Sequence, residues 1–353
     1  MNSTLQINSW FLFQNNSLEN KTLDTHQGQD KSVDQDMERN MRIAQAFFII
    51  IAFLGIFENS ISILALRKSK ELRSPTTAFI VNLCIADLIY CLLTPITYFR
   101  PELNQNNTLC RWNTMAKYFV SAESVNLMVA ITINRFICVV YPKYYRLLYS
   151  LKYLAIQIAL TWAYSLTLSL LPFFEGLGRY GYEPKIGLCT ILGPSAKTFN
   201  YIFVISAFGF PTLAFIICYP IIFLVAHNAS NRVKQFNLST TPAMLNATSE
   251  EGRGKNTSSH LDDKEMKLLK VMLVILVSFI ICYLPITYIT MTGKPAPAFI
   301  LIARFGINLS NVINPIIYIA MSAEFRKAYL ELFQCTKIWS PSSTSANTES
   351  ARV

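Results

Sequence analysis

This chain is short of charge. Asp, Glu, Lys and Arg make up 15% of its 353 residues, against about 25% in soluble globular domains. Hydrophobic residues reach 52% and mean hydropathy is +0.34. That balance argues against the two or three soluble domains that the length alone would suggest. Histidine is scarcer still: His26, His227 and His260 are the only three, and all lie in tails or loops. No Cys/His set has metal-ligand spacing, and no paired catalytic groups mark an intramembrane enzyme. Internal repeats and broken apolar segments of the secondary-transporter kind are also missing. A proton-linked transporter survives only as a rival reading, because Glu58, Asp87 and Glu123 are acids inside apolar runs that could line a proton path. No secretory leader is seen: the early apolar patch Trp10–Phe13 is too short for one. The first long run is expected to act as its own insertion signal.

What is present is a series of long apolar runs. A membrane helix needs roughly 20 apolar residues to cross about 30 Å of hydrocarbon. Seven runs qualify, near Ile43–Leu66, Pro75–Phe99, Trp112–Val140, Tyr153–Phe174, Asn200–Ala226, Lys267–Met291 and Ala298–Met321. Backbone polar groups in lipid must be satisfied within helices, so the expected fold is an all-α membrane protein, a seven-helix transmembrane bundle. The amphipathic stretch Glu324–Phe333 adds a short eighth helix.

The net charge of +10 sits in the loops, so membrane orientation explains it better than nucleic acid. Arg67, Lys68, Lys70 and Arg73 follow the first span, whereas Asp34, Asp36 and Glu38 dilute the basic residues before it. Lys143, Arg146 and Lys152 lie between spans three and four, and Arg232, Lys234, Arg253, Lys255 and Lys264 between five and six. The positive-inside rule places the N-terminus outside and the C-terminus in the cytosol. The expected organisation is an extracellular tail over 1–42, the seven-helix domain over 43–322, and the amphipathic helix with a cytosolic tail over 323–353. Residues 227–264, rich in Ser, Thr, Asn and charge, read as a disordered loop. Sequons at Asn2, Asn15, Asn20 and Asn106 fall on the outside and are candidate glycosylation sites, but Asn228, Asn237, Asn246 and Asn256 match the same short pattern inside.

Of eight cysteines, Cys84, Cys91, Cys138, Cys218 and Cys282 fall within spans, where a small buried hydrophobe suffices. Cys110 precedes the third span and Cys189 follows the fourth, both on the oxidising side, so they can pair and pin that loop to span three. Cys335, just past the eighth helix's apolar stretch, is a palmitoylation candidate or a free thiol.

Polar residues inside membrane helices are costly and point to function. Here they come roughly one set per span: Asn59, Asp87, Ser124 with Asn126, Trp162, Pro211 with Tyr219, Cys282-Tyr283-Leu284-Pro285, and Asn314-Pro315-Ile316-Ile317-Tyr318. Asn134-Arg135-Phe136 closes the cytosolic end of span three, with Arg135 twenty-five residues after Cys110. In this joint order the chain resembles the class A (rhodopsin-like) G-protein-coupled receptors, from Ile43 to about Cys335. Within that class Asn134-Arg135-Phe136 and Tyr182-Glu183-Pro184-Lys185-Ile186 resemble the melatonin-receptor-like group and the moody/trapped-in-endoderm receptors with their fatty-acid-sensing relative.

The resemblance implies an extracellular ligand, a heterotrimeric G-protein partner, of the inhibitory type by analogy, an arrestin partner for the Ser/Thr-rich tail, and a plasma-membrane location. No cofactor is implied beyond an allosteric sodium ion at Asp87, Ser124, Ser310 and Asn314. Asp87 alternatively stays protonated or hydrogen-bonded. Arg135 would meet the G-protein, with Tyr219, Pro285, Pro315 and Tyr318 serving the movement of span six. Asn134 departs from the usual acid there and cannot titrate. Glu265, twenty residues before Pro285 and about 30 Å below it, could restrain Arg135 instead.

For the ligand, the resemblance implies a cavity between spans three, five, six and seven, with Lys117, Tyr118, Ser121, Phe208, Tyr283, Arg304 and Asn308 around it. Aminergic receptors carry Asp where Lys117 stands, and opsins carry a Schiff-base Lys where Asn308 stands, which disfavours a monoamine and retinal. Pro172-Phe173 and Gly193 replace melatonin-contacting positions, which puts melatonin itself in doubt; a peptide is the other alternative. Lys117 and Arg304 suit a carboxylate or phosphate, and the aromatic lining a lipid tail. The competing reading is an internal pair such as Lys117 with Glu175. Glu58 and Glu123 have no assigned role: pairing or protonation within the bundle, or a proton-linked function.

Overall fold

Pro75, Pro142 and Pro297 each open a helix at its first turn, where a missing N–H costs nothing. Helices built this way dominate the computed structural model, which describes residues 39, 42–70, 72–98, 107–174, 176–183, 188–240, 252–292 and 297–337, without the side chains of 107, 208, 229–230, 232–240, 252–269, 297–298 and 333–337. The chain divides into two units, Met1–Ile49 and Ile50–Val353. The described part of the first is mainly the start of helix α1, Arg42–Lys68. The second holds α2 (Pro75–Tyr98), α3 (Asn107–Val140), the short α4 (Pro142–Leu148), α5 (Leu151–Leu170), α6 (Ala196–Val204), α7 (Phe210–Thr240), α8 (Gly252–Thr292), α9 (Pro297–Met321) and α10 (Ala323–Lys337). Among the described residues seven helices are long and apolar enough to cross a membrane.

Span three (α3) is central: it packs on α2, α5 and α7, while α8 and α9 pair along much of their length. Lipid-facing positions such as Phe57, Leu160, Ile216 and Ile281 are exposed and apolar, whereas polar residues such as Asn59, Asp87, Ser165 and Asn314 are turned inward. This inverts the soluble pattern, as expected where lipid is the solvent. Asn59 Nδ2 donates to the carbonyls of Gly55 and Asn311, both at 2.9 Å, and so ties span one to span seven. Span five begins as α6, passes through a π turn at Ile205–Gly209, and continues as α7. Pro211 has no N–H for the carbonyl of Ala207, which accounts for the widened turn there.

Two features differ from the sequence expectation. Residues 179–192 contribute a β-hairpin, β1 (Arg179–Glu183) antiparallel to β2 (Leu188–Leu192), with Tyr182 opposite Cys189. Gly178 (φ +93°) and Gly193 (φ +104°) flank it in left-handed backbone that only glycine adopts without strain. In addition, α7 runs on to Thr240 and α8 begins at Gly252, so helix occupies much of the stretch expected as a disordered loop. No proline interrupts residues 221–240 or 252–284, and each added residue extends an existing helix without a new nucleus.

The eighth helix forms as α10. Ser322 caps it, accepting from the Phe325 N–H at 3.4 Å, and Arg326 donates to the span-seven carbonyls of Ile319 and Ala320, both at 3.0 Å. Tyr329 shares a hydrogen bond with Ser62 on α1.

Candidate ligand cavity and activation network

At the N-terminal end of span three, Cys110 of α3 is bonded to Cys189 of β2, with Cα atoms 5.6 Å apart. The hairpin is held a second time where Tyr180 donates its hydroxyl proton to the Ser169 carbonyl of span four, at 2.8 Å. Tyr118 turns toward this side. Its ring meets Phe203 at 4.9 Å, Tyr180 at 5.9 Å and Phe199 at 6.2 Å, in a closed aromatic cluster beneath the hairpin. Phe208 lies in the π turn, and its side chain is outside the described residues.

Lys117 points the other way, toward span two. Its Nζ donates to Thr97 Oγ1 at 2.8 Å and lies 5.2 Å from the Tyr90 ring centroid and 5.6 Å from that of Tyr98. Asn113, one turn earlier on α3, donates to the same Thr97 hydroxyl at 3.0 Å. Across from them on span seven, Arg304 lies within electrostatic reach of Lys117 and both tyrosines, and Asn308 hydrogen-bonds Tyr98. The cationic compartment is therefore framed by spans two, three and seven, not by three, five, six and seven. Glu175 is outside the described residues. Among those described, neither Lys117 nor Arg304 has a carboxylate partner. Tyr90, Thr97, Tyr98 and Asn113 escaped the sequence reading; the i, i+4 spacing of Asn113 and Lys117 was the one available signal.

Deeper, Tyr283 hydrogen-bonds both Ser121 of span three and Ser310 of span seven. It joins span three to span seven one layer above Asp87. Asp87, 1% exposed, accepts from Ser124 Oγ at 2.8 Å and from Asn314 Nδ2 at 2.9 Å. Ser310 donates to the Ile307 carbonyl at 2.8 Å rather than to Asp87. Among the described residues no metal-binding group of three or more His, Cys, Asp or Glu is present. The oxygen set of one carboxylate and neighbouring hydroxyls suits a sodium ion, and a carboxylate at this depth needs a proton or a cation.

At the opposite end of span three, Asn134 is fully buried and engaged. Its Oδ1 accepts from Thr76 Oγ1 at 2.6 Å, its Nδ2 donates to the Tyr145 hydroxyl at 3.5 Å, and Tyr149 hydrogen-bonds it as well. Burial pushes the Tyr149 hydroxyl up to about 12, so it stays protonated at physiological pH. The amide thus joins span three to span two and to the segment between spans three and four. Arg135 is buried beside Tyr219, whose hydroxyl bonds Thr132. Tyr219 and Tyr318 both line a cavity of about 10 Å³ with Leu83, Met128, Thr132 and Met272. The Tyr318 hydroxyl has no hydrogen-bond partner among the described residues. Pro285 and Pro315 lie inside α8 and α9. The side chains of Glu265 and Cys335, and residues Asn2, Asn15, Asn20 and Asn106, lie outside the described residues.

The unassigned acids also find places. Glu123, fully buried, accepts from Thr161 at 2.8 Å and Ser165 at 2.7 Å, and Asn126 donates to Ser165 at 2.9 Å. This network joins spans three and four. Glu58 keeps one carboxyl oxygen without a partner among the described residues.

The fold and this order of polar layers meet their counterpart in known proteins. A family profile described as "7 transmembrane receptor (rhodopsin family)" matches residues 58–318. The chain belongs to that family. The G-protein coupled receptor moody of Drosophila melanogaster is 28% identical over 84% of this chain, and the chain spans about half, 52%, of that protein's length. Protein trapped in endoderm-1 of the same organism is 30% identical over 84% of this chain and 78% of its own. The crystal structure of squid rhodopsin superposes with a TM-score of 0.70 at 20% identity, over 84% of this chain and 86% of that one, and so shares the fold. The protein is a multi-pass membrane protein of that family, whose members are receptors rather than enzymes.

Proposed function

We propose that this receptor responds to an anionic amphipathic small molecule, a lipid carboxylate or phosphate, and passes the signal to a heterotrimeric G-protein of the inhibitory type. The observation that carries this reading is the pair Lys117 and Arg304, two half-buried cations within reach of each other and without a carboxylate partner among the described residues. Like charges repel in a medium of low dielectric, and an anion between them removes that cost. Tyr90, Tyr98 and Tyr283 supply aromatic wall and floor for the apolar body.

The receptor sits in the plasma membrane with its N-terminus outside, as the basic loops favour. Asn2, Asn15, Asn20 and Asn106 would carry glycans and Cys335 a palmitoyl chain. Phosphorylated Ser and Thr of the tail would recruit arrestin, each phosphate adding about −1.5 to −2 charge. Ligand binding shifts a two-state equilibrium: Tyr283 carries the change to Ser310 and the Asp87 layer, a sodium ion at Asp87 favours the resting packing, and Arg135 is released to meet the G-protein.

The test is G-protein activation in cells expressing the chain at verified surface levels, with anionic lipids, indoles and peptides applied in separate pools. The expected result is a response to anionic lipid that needs Arg135 and is lost in Lys117→Ala and in Arg304→Ala. A response confined to peptides or indoles, or one indifferent to both substitutions, overturns the ligand reading.

A further inference from the structure

The cationic compartment contains one group that an anion alone does not satisfy. Asn113 is 7% exposed, and its amide is held beside Lys117 because both donate to Thr97 Oγ1, at 3.0 and 2.8 Å. Its side-chain oxygen is buried without a hydrogen-bond partner among the described residues. Buried amide oxygens are nearly always paired, and each exception asks for an explanation. The chemistry around it is one-sided. Lys117 and Arg304 offer only donors. The hydroxyl of Tyr98 is engaged by Asn308. An anion, which brings acceptors, answers the two cations and leaves the Asn113 oxygen unanswered.

We infer that the occupant of this compartment carries a hydrogen-bond donor, a hydroxyl or an amide N–H, directly beside its anionic group, and that Asn113 Oδ1 accepts from it. This rests on the anion reading above and narrows it. The spacing supports it: Asn113 and Lys117 are one helical turn apart on the same face of α3, so an anion held by Lys117 brings its neighbouring atoms, not its far end, to Asn113. The ligand class is then an α-hydroxy or N-acylamino acid with a long apolar chain. A plain fatty acid would enter the same site more weakly. A site built to pair a donor discriminates against the analogue that lacks it, because the unmet group stays buried.

The inference is tested with the purified full chain in lipid nanodiscs and two matched probe pairs: N-oleoylglycine against N-oleoylsarcosine, which replaces the amide N–H by N–CH₃, and 2-hydroxyoleate against oleate. Binding is read as a shift in melting temperature with probe concentration. The donor-bearing member of one or both pairs is expected to bind about tenfold more tightly, as one net hydrogen bond gives. Asn113→Leu should bring that ratio to about one while the donor-free member keeps its affinity. The two pairs separate an N–H from an O–H source. If both members of each pair bind equally and both depend on Lys117 and Arg304, the donor inference fails and the anion reading stands. If no acid binds, or binding is indifferent to Lys117→Met and Arg304→Met, both fail. The wild-type ratio needs no variant, so a misfolded Asn113→Leu does not blunt the test.

Discussion

Gly306 on span seven touches span six more closely than any side chain would permit. A Cβ placed there would lie 2.2 Å from the Cys282 carbonyl oxygen, 3.0 Å from its carbon and 3.2 Å from its Cα. Ordinary contact begins at 3.4 Å, so Gly306→Ala requires a separation of about 1.2 Å at that point. The obstacle is backbone, so no rotamer change relieves it. Overpacking of this kind typically costs about 1–3 kcal/mol; the better helix propensity of alanine returns about 1 kcal/mol. The strain has a direction. Cys282 stands three residues before Pro285, whose missing N–H weakens the helix at that level. The inner part of span six is the part able to yield, and Lys270 lies about 18 Å below Cys282 at 1.5 Å per residue. A bias of about 1 kcal/mol toward an outward-tilted span six raises the ratio of active to resting states about fivefold. The assay is basal nucleotide exchange on purified G-protein, driven by the receptor in nanodiscs, beside a thermal melt. The expected outcome is a lower melting temperature and about fivefold higher basal exchange. An alanine variant that melts and exchanges like wild type refutes the tight contact. One that melts lower with unchanged exchange refutes the lever.

Asp87→Asn should abolish any decrease of basal exchange with rising sodium, because the amide removes the charge that would hold the ion while keeping its hydrogen-bonding capacity; a sodium response that survives the substitution rules out Asp87 as the site. Glu265→Ala should raise basal signalling several-fold if the Glu265 carboxylate restrains Arg135, and wild-type basal signalling in that variant, at equal surface expression, removes the restraint from the account.

Both variants address the resting state because the usual titrating acid beside Arg135 is absent. Asn134 is not an idle replacement. With Thr76 on one side and Tyr145 and Tyr149 on the other, it fills the acid's position with an amide that joins three elements. Asn134 has no charge to set against Arg135, which is why Glu265 is the residue to substitute.

The sequence by itself determined the spans, their order and the depth of each polar residue. Apolar length and position along a helix are local properties, and a bilayer about 30 Å thick reads them directly. Ser124 and Asn314, which lie at one depth with Asp87, both hydrogen-bond its carboxylate, and Cys110 is bonded to Cys189. Ser310, at the right depth, nonetheless points its hydroxyl to Ile307 and Tyr283. Sequence did not determine which neighbour each side chain faces. Lys117 and Tyr118 are adjacent in the chain, about 100° apart around the helix, and one joins span two while the other joins the hairpin and span five. Glu123 and Ser124 divide in the same way between span four and Asp87. A polar group in a membrane helix is satisfied equally well by a partner on any adjoining helix, so its choice is fixed only when the helices pack and set their rotation. That packing brought Lys117 within electrostatic reach of Arg304 and set Asn113 beside Lys117 on the Thr97 hydroxyl.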